Sequence, residues 1–240
     1  VNNVRIGWIL EQFVKAGARE DILYDAKPHV GTDVLLTVVQ NIRQRIISLG
    51  GEVRFNTQVT GLCTESGKLT GLKIETGEII PCDSCVLAIG HSARDTFTML
   101  HESSFTLIQK PFAIGARIEH LQKDLNRAQY GASAGHPALP PAEYKLNVPT
   151  PDNRGVYTFC MCPGGQVVAA ASEEGGVVVN GMSTRARDGE NANSAVLCSV
   201  FPEDYGNDPK AAIAFARGIE RAAFIAGGGD YATPLYTLGD

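Results

Sequence analysis

The chain has 240 residues, of which 44% are hydrophobic and 20% charged, with a formal net charge of -5 at pH 7. This balance is typical of a folded globular protein with one large domain or two small ones. The acidic balance argues against a nucleic-acid partner, and no stretch approaches the roughly 20 apolar residues that span a bilayer. Six cysteines in a chain of this length do not indicate a disulfide framework, so we expect a cytoplasmic protein.

Two helices are predicted in the first fifty residues. Apolar residues recur at helical spacing in 6–16, and Gly17 follows where a helix end favours a left-handed residue. A second helical pattern runs through 33–49. Thr32 is its expected N-cap, and Asp33 suits the positive end of its dipole.

The next part of the chain is predicted to contain strands and turns. Short β-rich runs separated by turn residues occupy 52–56, 58–65, 69–76 and 78–80. A nearly continuous apolar run at 85–90 predicts a strand buried on both faces, as in parallel sheets. A turn at Gly90 then leads into a helix at 92–100.

From residue 104 the pattern changes to β-rich segments joined by long loops. The predicted strands are 112–120, 155–161, 166–172, 177–181 and 194–200. The segment 131–144 is rich in Gly, Pro and Ala and predicts a long connection. A last helix is predicted over 209–227, ending at Gly227.

A first candidate ligand site follows the predicted buried strand. Ligands in open α/β sheets lie beyond the carboxyl ends of strands. Gly90 lets the backbone approach a ligand closely, and the helix that begins at Ser92 offers free N–H groups to an anion. The alternative is a strand-to-helix turn that binds nothing.

The cysteines form a second set of candidates. Cys82 and Cys85 make a Cys-x-x-Cys pattern, but they precede a predicted strand, whereas redox-active thiols favour helix N-termini. Their separation from Cys160 and Cys162 is not a familiar zinc spacing, so structural thiols are favoured. Cys160 and Cys162 share one face of a predicted strand and either line a pocket or pack in the core.

A third candidate is the polar, glycine-rich segment 172–195, which includes Asn180. It is either a solvated loop region or a set of binding loops carried on a sheet. The histidines show no metal-ligand spacing, so no metal site is predicted. Nothing in the sequence distinguishes Arg117 or Arg154 from ordinary ion-pair or surface residues.

Four segments together resemble a family of bacterial FAD-dependent dehydrogenase-like proteins, many of them uncharacterised: 26–35, 87–97, 110–120 and 155–195. In organisation the chain is similar to the glutathione-reductase-like flavoprotein fold, in which a substrate domain is inserted into an FAD domain. The resemblance implies an internal fragment of mixed α/β class. It predicts a partial Rossmann-like FAD-binding domain at 1–103, a β-rich inserted substrate domain at 104–190, and a return segment or domain end at 191–240.

The resemblance also implies site residues. Backbone around Val59 would border the adenine of FAD. The strand end would approach its adenosine and pyrophosphate through Ala88, Ile89, Gly90, His91 and Ser92. The β-rich domain would cover the isoalloxazine and supply the substrate pocket, with Cys160, Cys162 and Asn180 as candidate lining residues. The resemblance assigns no catalytic residue.

The family's Gly-rich pyrophosphate loop is missing from the chain, so we expect this piece alone to bind FAD weakly or not at all. The implied function of the parent is electron or hydride transfer between FAD and a small substrate, with an electron partner that the sequence does not identify. One alternative is a non-catalytic nucleotide-binding or scaffold protein of the same fold. Another is a thiol-redox protein that uses Cys82 and Cys85.

Overall fold

The computed structural model describes residues 3–152 and 154–237, and the predicted limits at residues 1 and 240 lie outside them. The chain is of mixed α/β class. Its helices are α1 (Val4–Lys15), α2 (Thr32–Ser48), α3 (Arg94–Glu102), α4 (Gln122–Tyr130), α5 (Pro202–Tyr205) and α6 (Ala211–Ala226). Its strands are β1 (Val59–Glu65), β2 (Lys68–Ile74), β3 (Ile79–Pro81), β4 (Phe112–Leu121), β5 (Asn147–Pro149), β6 (Gly155–Cys162), β7 (Gly165–Ala169), β8 (Val179–Ser183) and β9 (Asn191–Val200).

The first helix confirms the prediction from periodicity. The side chain of Asn3 caps α1 by accepting a hydrogen bond of 3.0 Å from the backbone N–H of Arg5. Gly17 has a φ of +111°, and the N–H of Ala18 donates to the carbonyl of Phe13, as in a left-handed helix end. The apolar side of α1 packs on α2 around a buried core of Ala16, Ala18, Ile22 and Val38.

The second helix begins one residue earlier than predicted, so the prediction that Thr32 is its N-cap is wrong. Gly31, at a φ of +87°, takes the cap position and Thr32 is the first helical residue. The Thr32 hydroxyl instead donates to the backbone oxygen of Ser183, 3.2 Å away at the end of β8. A residue on the first turn of α2 therefore ties this helix to the β-rich part of the chain.

The predicted three-stranded meander is confirmed. Strands β1, β2 and β3 pair antiparallel in that order, with Ser66 and Gly67 both left-handed in the first turn. The strand predicted at 52–56 is absent. It has no ladder partner among the described residues, and Phe55 is exposed.

The strand predicted at 85–90 is also wrong. These residues have no regular secondary structure, and Val86 is 90% exposed. A strand buried on both faces needs neighbouring strands for its backbone hydrogen bonds, and none of the described strands pairs with this segment. All strand pairs in the described part of the chain are antiparallel. Ser92 is not the cap of the following helix, because Ala93 occupies that position before Arg94.

The β-rich part contains a four-stranded antiparallel sheet in the order β4-β9-β6-β5 and a two-stranded sheet of β7 and β8. Strand β9 belongs to the segment 191–240, yet it is hydrogen-bonded between β4 and β6. The periodicity did not predict α4 or β5, whereas 131–144 is a connection with only a short 3₁₀ turn, as expected. Within the two described ranges, no helix has the length and apolar character needed to cross a bilayer.

Candidate functional site

One face of the four-stranded sheet carries a set of polar side chains. In the ladders, Arg117 lies opposite Ala195, while Asn193 lies opposite both Glu119 and Cys162. Because facing residues of paired strands project to the same side, Arg117, Asn193 and Cys162 share one face. The register between β4, β9 and β6 therefore assembles this group from three separate parts of the chain.

The two-stranded sheet covers this face. The N–H of Val167 on β7 donates to Glu119 Oε2 at 2.8 Å. On β8, a Cβ at Gly181 would lie 2.2 Å from both Arg117 Nη1 and Asn193 Oδ1. Only a residue without a side chain allows β8 to approach so closely, and β8 therefore covers Arg117 and Asn193, while Cys160 and Asn180 remain exposed.

Arg117 is the centre of the group. Its Nη1 donates to Asn193 Oδ1 at 2.5 Å and reaches the carbonyl oxygen of Cys160 at 3.4 Å, while Nη2 reaches Asn180 Oδ1 at 3.4 Å. All three acceptors are uncharged. We call Arg117, Cys160, Cys162, Asn180 and Asn193 the Arg117 face.

A bulge in β6 shapes the Arg117 face. The register shifts between Phe159 and Cys162, and Cys160 has a φ of +48°, which is unusual for a residue other than glycine. This conformation turns the Cys160 carbonyl toward Arg117 and toward Cys162, whose Sγ donates to it at 3.3 Å. A residue other than glycine held in the left-handed region is a common feature of functional sites.

Cys162 is half-buried, and burial raises the pKa of its thiol. The positive charges of Arg117 and Arg187 act in the opposite direction but do not outweigh burial. Cys162 is therefore a protonated thiol at neutral pH and has the character of a weak hydrogen-bond donor rather than of a nucleophile.

Arg187 approaches the Arg117 face from the loop after β8. Its backbone has a φ of +53° and packs directly on Gly164, where a Cβ would lie 2.0 Å from the Arg187 carbonyl oxygen. The N–H of Gly164 donates to the buried Gln122 Oε1 at 2.9 Å, which holds this turn in place. Burial lowers the pKa of the Arg187 guanidinium, and repulsion from Arg185 lowers it further.

The loop that carries Arg187 is attached to the N-terminal helices. Arg185 pairs with Asp21, and its N–H donates to Asp33 Oδ1 at 2.8 Å. The latter bond is the main cause that lowers the pKa of Asp33. His29 Nε2 lies 3.1 Å from the Thr184 carbonyl oxygen. These contacts fix the loop position relative to α2.

The residues predicted to border the adenosine and pyrophosphate of FAD lie at the start of β1 and just before α3. Ala88, Ile89, Gly90 and His91 are exposed, and Gly90 is left-handed with open space around it. His91 Nε2 lies 3.3 Å from Ser92 Oγ, and Val59 begins β1. Gln58 next to it donates to Asp95 of α3 at 2.5 Å. This bond brings the start of β1, and with it Val59, toward the start of α3.

Cys82 is half-buried and Cys85 is exposed, and both are free thiols. Neither lies at the N-terminus of a described helix, since α3 begins at Arg94. We therefore expect any dye reduction that the full-length protein shows under anaerobic conditions to be unchanged in Cys82→Ser. A large loss of dye reduction in Cys82→Ser, with an unchanged melting temperature, would instead support the thiol-redox alternative.

The sequence indicates Cys160, Cys162 and Asn180, and the structure brings them together around Arg117. Asn193 and Arg187 belong to the polar segment, but the sequence does not distinguish them within it, and it does not single out Arg117. The only signal for Arg117 is a charge in the middle of the apolar-rich strand 112–120. Among the described residues, no three His, Cys, Asp or Glu side chains converge as a metal site requires.

Two comparisons relate the chain to known proteins. Residues 111–240 match the family model described as "FAD-dependent protein, C-terminal domain-like". This range contains the four-stranded sheet and the whole Arg117 face. An uncharacterized protein of Clostridium beijerinckii is 48% identical over 242 residues, and the alignment covers 100% of this chain but 45% of that protein. The chain therefore spans less than half the length of this relative.

Proposed function

The chain belongs to the FAD-dependent protein, C-terminal domain-like family, and on this premise we propose that its full-length parent is an FAD-dependent oxidoreductase. In this proposal the part that begins near residue 104 supplies the substrate pocket, and residues 1–103 belong to a Rossmann-like FAD-binding domain. The observation that carries the proposal is the Arg117 face, which lies wholly inside the range matched by the family. Loops and strand edges on a rigid sheet are where binding residues gather.

The residues before α3 fit one wall of an FAD site. Leu87 and Ile89 present exposed apolar surface, and the left-handed Gly90 leaves its backbone open to a ligand. Ala93 caps α3 without a side-chain hydrogen bond. The Arg94 N–H donates to the Ser92 carbonyl at 2.9 Å, but the N–H groups of Asp95 and Thr96 have no described acceptor and are available to an anion. We propose that Val59, Ala88, Ile89, Gly90, His91 and Ser92 border the adenosine and pyrophosphate.

The flavin supplies the redox chemistry when bound, and the protein supplies binding and orientation. Arg117 orients a polar substrate group through its guanidinium, while Asn180 and Asn193 hold the guanidinium in position. Cys162 keeps its proton on Sγ and adds no negative charge beside Arg117. Within this face, only Asn193 is fully buried and thus out of contact with water.

The full-length protein, purified without added cofactor, is expected to show flavin absorption bands that remain after gel filtration. Anaerobic addition of electron donors, including NADH and NADPH, should then bleach these bands. A colourless, folded protein that FAD does not reconstitute would contradict the proposal. Stable flavin binding without turnover by any donor and acceptor would favour the non-catalytic scaffold.

The proposed FAD-binding residues before α3 are tested separately by adding a negative charge. Ser92→Asp places a carboxylate at the start of α3, where it would repel the pyrophosphate, so FAD should bind about tenfold or more weakly. Ser104→Asp adds the same charge just beyond the other end of α3, at an exposed left-handed residue that Asp tolerates. Equal FAD affinity of these two variants would rule out the assignment of Ser92.

A further inference from the structure

The guanidinium groups of Arg117 and Arg187, near Cys162, have no carboxylate partner among the described residues. Neither Arg117 nor Arg187 forms an ion pair with any described residue. Arg117 and Cys162 Sγ share the Cys160 carbonyl as acceptor, and the Arg187 backbone packs on Gly164, two residues after Cys162. A half-buried cation without an anion is unfavourable, because burial removes much of its hydration.

The same place contains buried hydrogen-bond donors without acceptors. Asn193 is fully buried, and its Nδ2 has no partner among the described residues, although its Oδ1 accepts from Arg117. The buried Nε of Arg187 has no partner there either. An unsatisfied buried donor typically costs about 1–3 kcal/mol, so a native structure seldom retains several without a reason. Both of these unsatisfied atoms are hydrogen-bond donors, so a ligand that satisfies them must supply acceptor atoms.

The acidic side chains nearby do not pair with Arg117 or Arg187 among the described residues. Glu119 accepts from Val167 N–H at 2.8 Å and from Asn191 Nδ2 at 2.6 Å. Asp21 pairs with Arg185 through Oδ2, and its buried Oδ1 has no described partner and thus forms no hydrogen bond to Arg117 or Arg187. Asp25 acts on Arg187 only through its charge, without a hydrogen bond. The positive charge of Arg117 and Arg187 is therefore not neutralised by direct contact with these acids.

We propose that Arg117 and Arg187 bind the carboxylate group of an organic acid at the Arg117 face. A planar guanidinium matches the two oxygens of a carboxylate, and the amides of Asn180 and Asn193 fix its orientation. Phosphate sites in proteins instead commonly use free backbone N–H groups of glycine turns. Here the N–H of Gly164 is occupied by Gln122, and that of Gly189 donates to the Gly164 carbonyl at 3.2 Å.

The assignment of this acid as the redox substrate rests on the proposed function. The binding of a carboxylate at the Arg117 face does not depend on that function. Binding is therefore measured on the oxidised full-length protein without turnover. If the flavin is absent but carboxylates bind, only the oxidoreductase proposal fails. If the flavin is bound and reducible but carboxylates do not bind, only the present inference fails.

The first experiment is a calorimetric titration of the full-length protein with succinate and benzoate, with benzamide as the neutral counterpart. We expect the carboxylates to bind and benzamide not to bind. Arg117→Gln and Arg187→Gln should each weaken binding at least about tenfold, because each removes a charge-assisted hydrogen bond. Arg221→Gln removes the same charge from an exposed position on α6 and should leave affinity unchanged.

Gly181→Ala keeps every charge and provides a second variant. The new Cβ would overlap two side-chain groups, the Arg117 guanidinium and the Oδ1 of the buried Asn193, so both side chains must move. We expect carboxylate binding to weaken about tenfold when it is measured well below the melting temperature of the variant, which separates loss of binding from loss of stability. This variant remains informative if Arg117→Gln fails to fold.

A chemical readout is available at Cys160, which is exposed beside Arg117. Its alkylation by iodoacetate is compared with that by the neutral iodoacetamide. The ratio of the two rates cancels the fraction of thiolate, so it reports attraction of the reagent's carboxylate. We expect the ratio to fall at least about fivefold in Arg117→Gln but not in Arg221→Gln, and succinate to protect Cys160.

Three results would overturn the inference. The first is an absence of carboxylate binding to the wild-type protein. The second is equal affinity in Arg117→Gln, Arg187→Gln and Arg221→Gln. The third is binding of inorganic phosphate in place of both carboxylates, which would assign the face to a different anion.

Discussion

Arg94→Met is expected to lower the local stability of α3 and α6 by about 3 kcal/mol, because it leaves two carboxylates without their shared cation. Arg94 is only 9% exposed and donates to Glu173 at 2.5 Å and to Glu220 at 2.6 Å. Arg217 of α6 also donates to Glu173, at 2.7 Å. This cluster of two positive and two negative groups joins α3, the loop before β8 and α6.

Hydrogen exchange measures this prediction directly. Amides of α3 and α6 should exchange more than about a hundredfold faster in Arg94→Met, as a loss of about 3 kcal/mol implies. Lys27→Met is the matched control, since the Lys27–Glu143 pair is exposed and should contribute less than about 1 kcal/mol. Similar exchange rates in the two variants would show that the Arg94 cluster does not stabilise the fold.

The same cluster predicts an acid-sensitive contribution to stability. Hydrogen bonds from Arg217 and then Arg94 lower the pKa of Glu173 from 4.5 to about 2. A carboxyl whose pKa is lower in the folded state stabilises the fold above its unfolded pKa. The contribution of Glu173 is therefore complete above pH 4.5 and is lost as pH falls toward 2. Thermal melting across this range should fall more steeply for the wild-type protein than for Glu173→Gln.

Gly164→Ala is expected to destabilise the loop that carries Arg187 by about 3 kcal/mol. Two costs combine at this position. The φ of +57° is unfavourable for alanine, and the Cβ would lie 2.0 Å from the Arg187 oxygen and 2.1 Å from its carbonyl carbon. Both atoms are backbone, so no side-chain rotation relieves the overlap and the loop must move.

Gly67→Ala separates these two costs. Gly67 has a φ of +76° in the turn between β1 and β2, and a Cβ added there would have no described atom within 4 Å. This variant should cost only the left-handed conformation, about 1 kcal/mol. Chemical denaturation of both variants provides the comparison. Equal losses of stability would show that Gly164 is required for its conformation alone and not for the approach of Arg187.

Sequence and structure agree best where the determining signal is local. The helical spacing of apolar residues identified α1, α2 and α6, and turn residues identified the meander of β1, β2 and β3. Strand propensity failed at 52–56 and 85–90, because a strand also needs a partner for its backbone hydrogen bonds. The apolar run 85–90 carries the side chains of a buried strand, but those residues cannot specify which strands would flank them.

The sequence by itself determined α1, α2, α3 and α6, the meander, the resemblance to FAD-dependent proteins and three members of the Arg117 face. Only the tertiary structure decided that Cys160, Cys162 and Asn180 meet at Arg117. That meeting depends on the register of β4, β9 and β6, on the bulge at Cys160 and on the close approach of β8 at Gly181. The physical reason is that side-chain periodicity is a property of neighbouring residues, whereas strand register is set by pairing between distant ones.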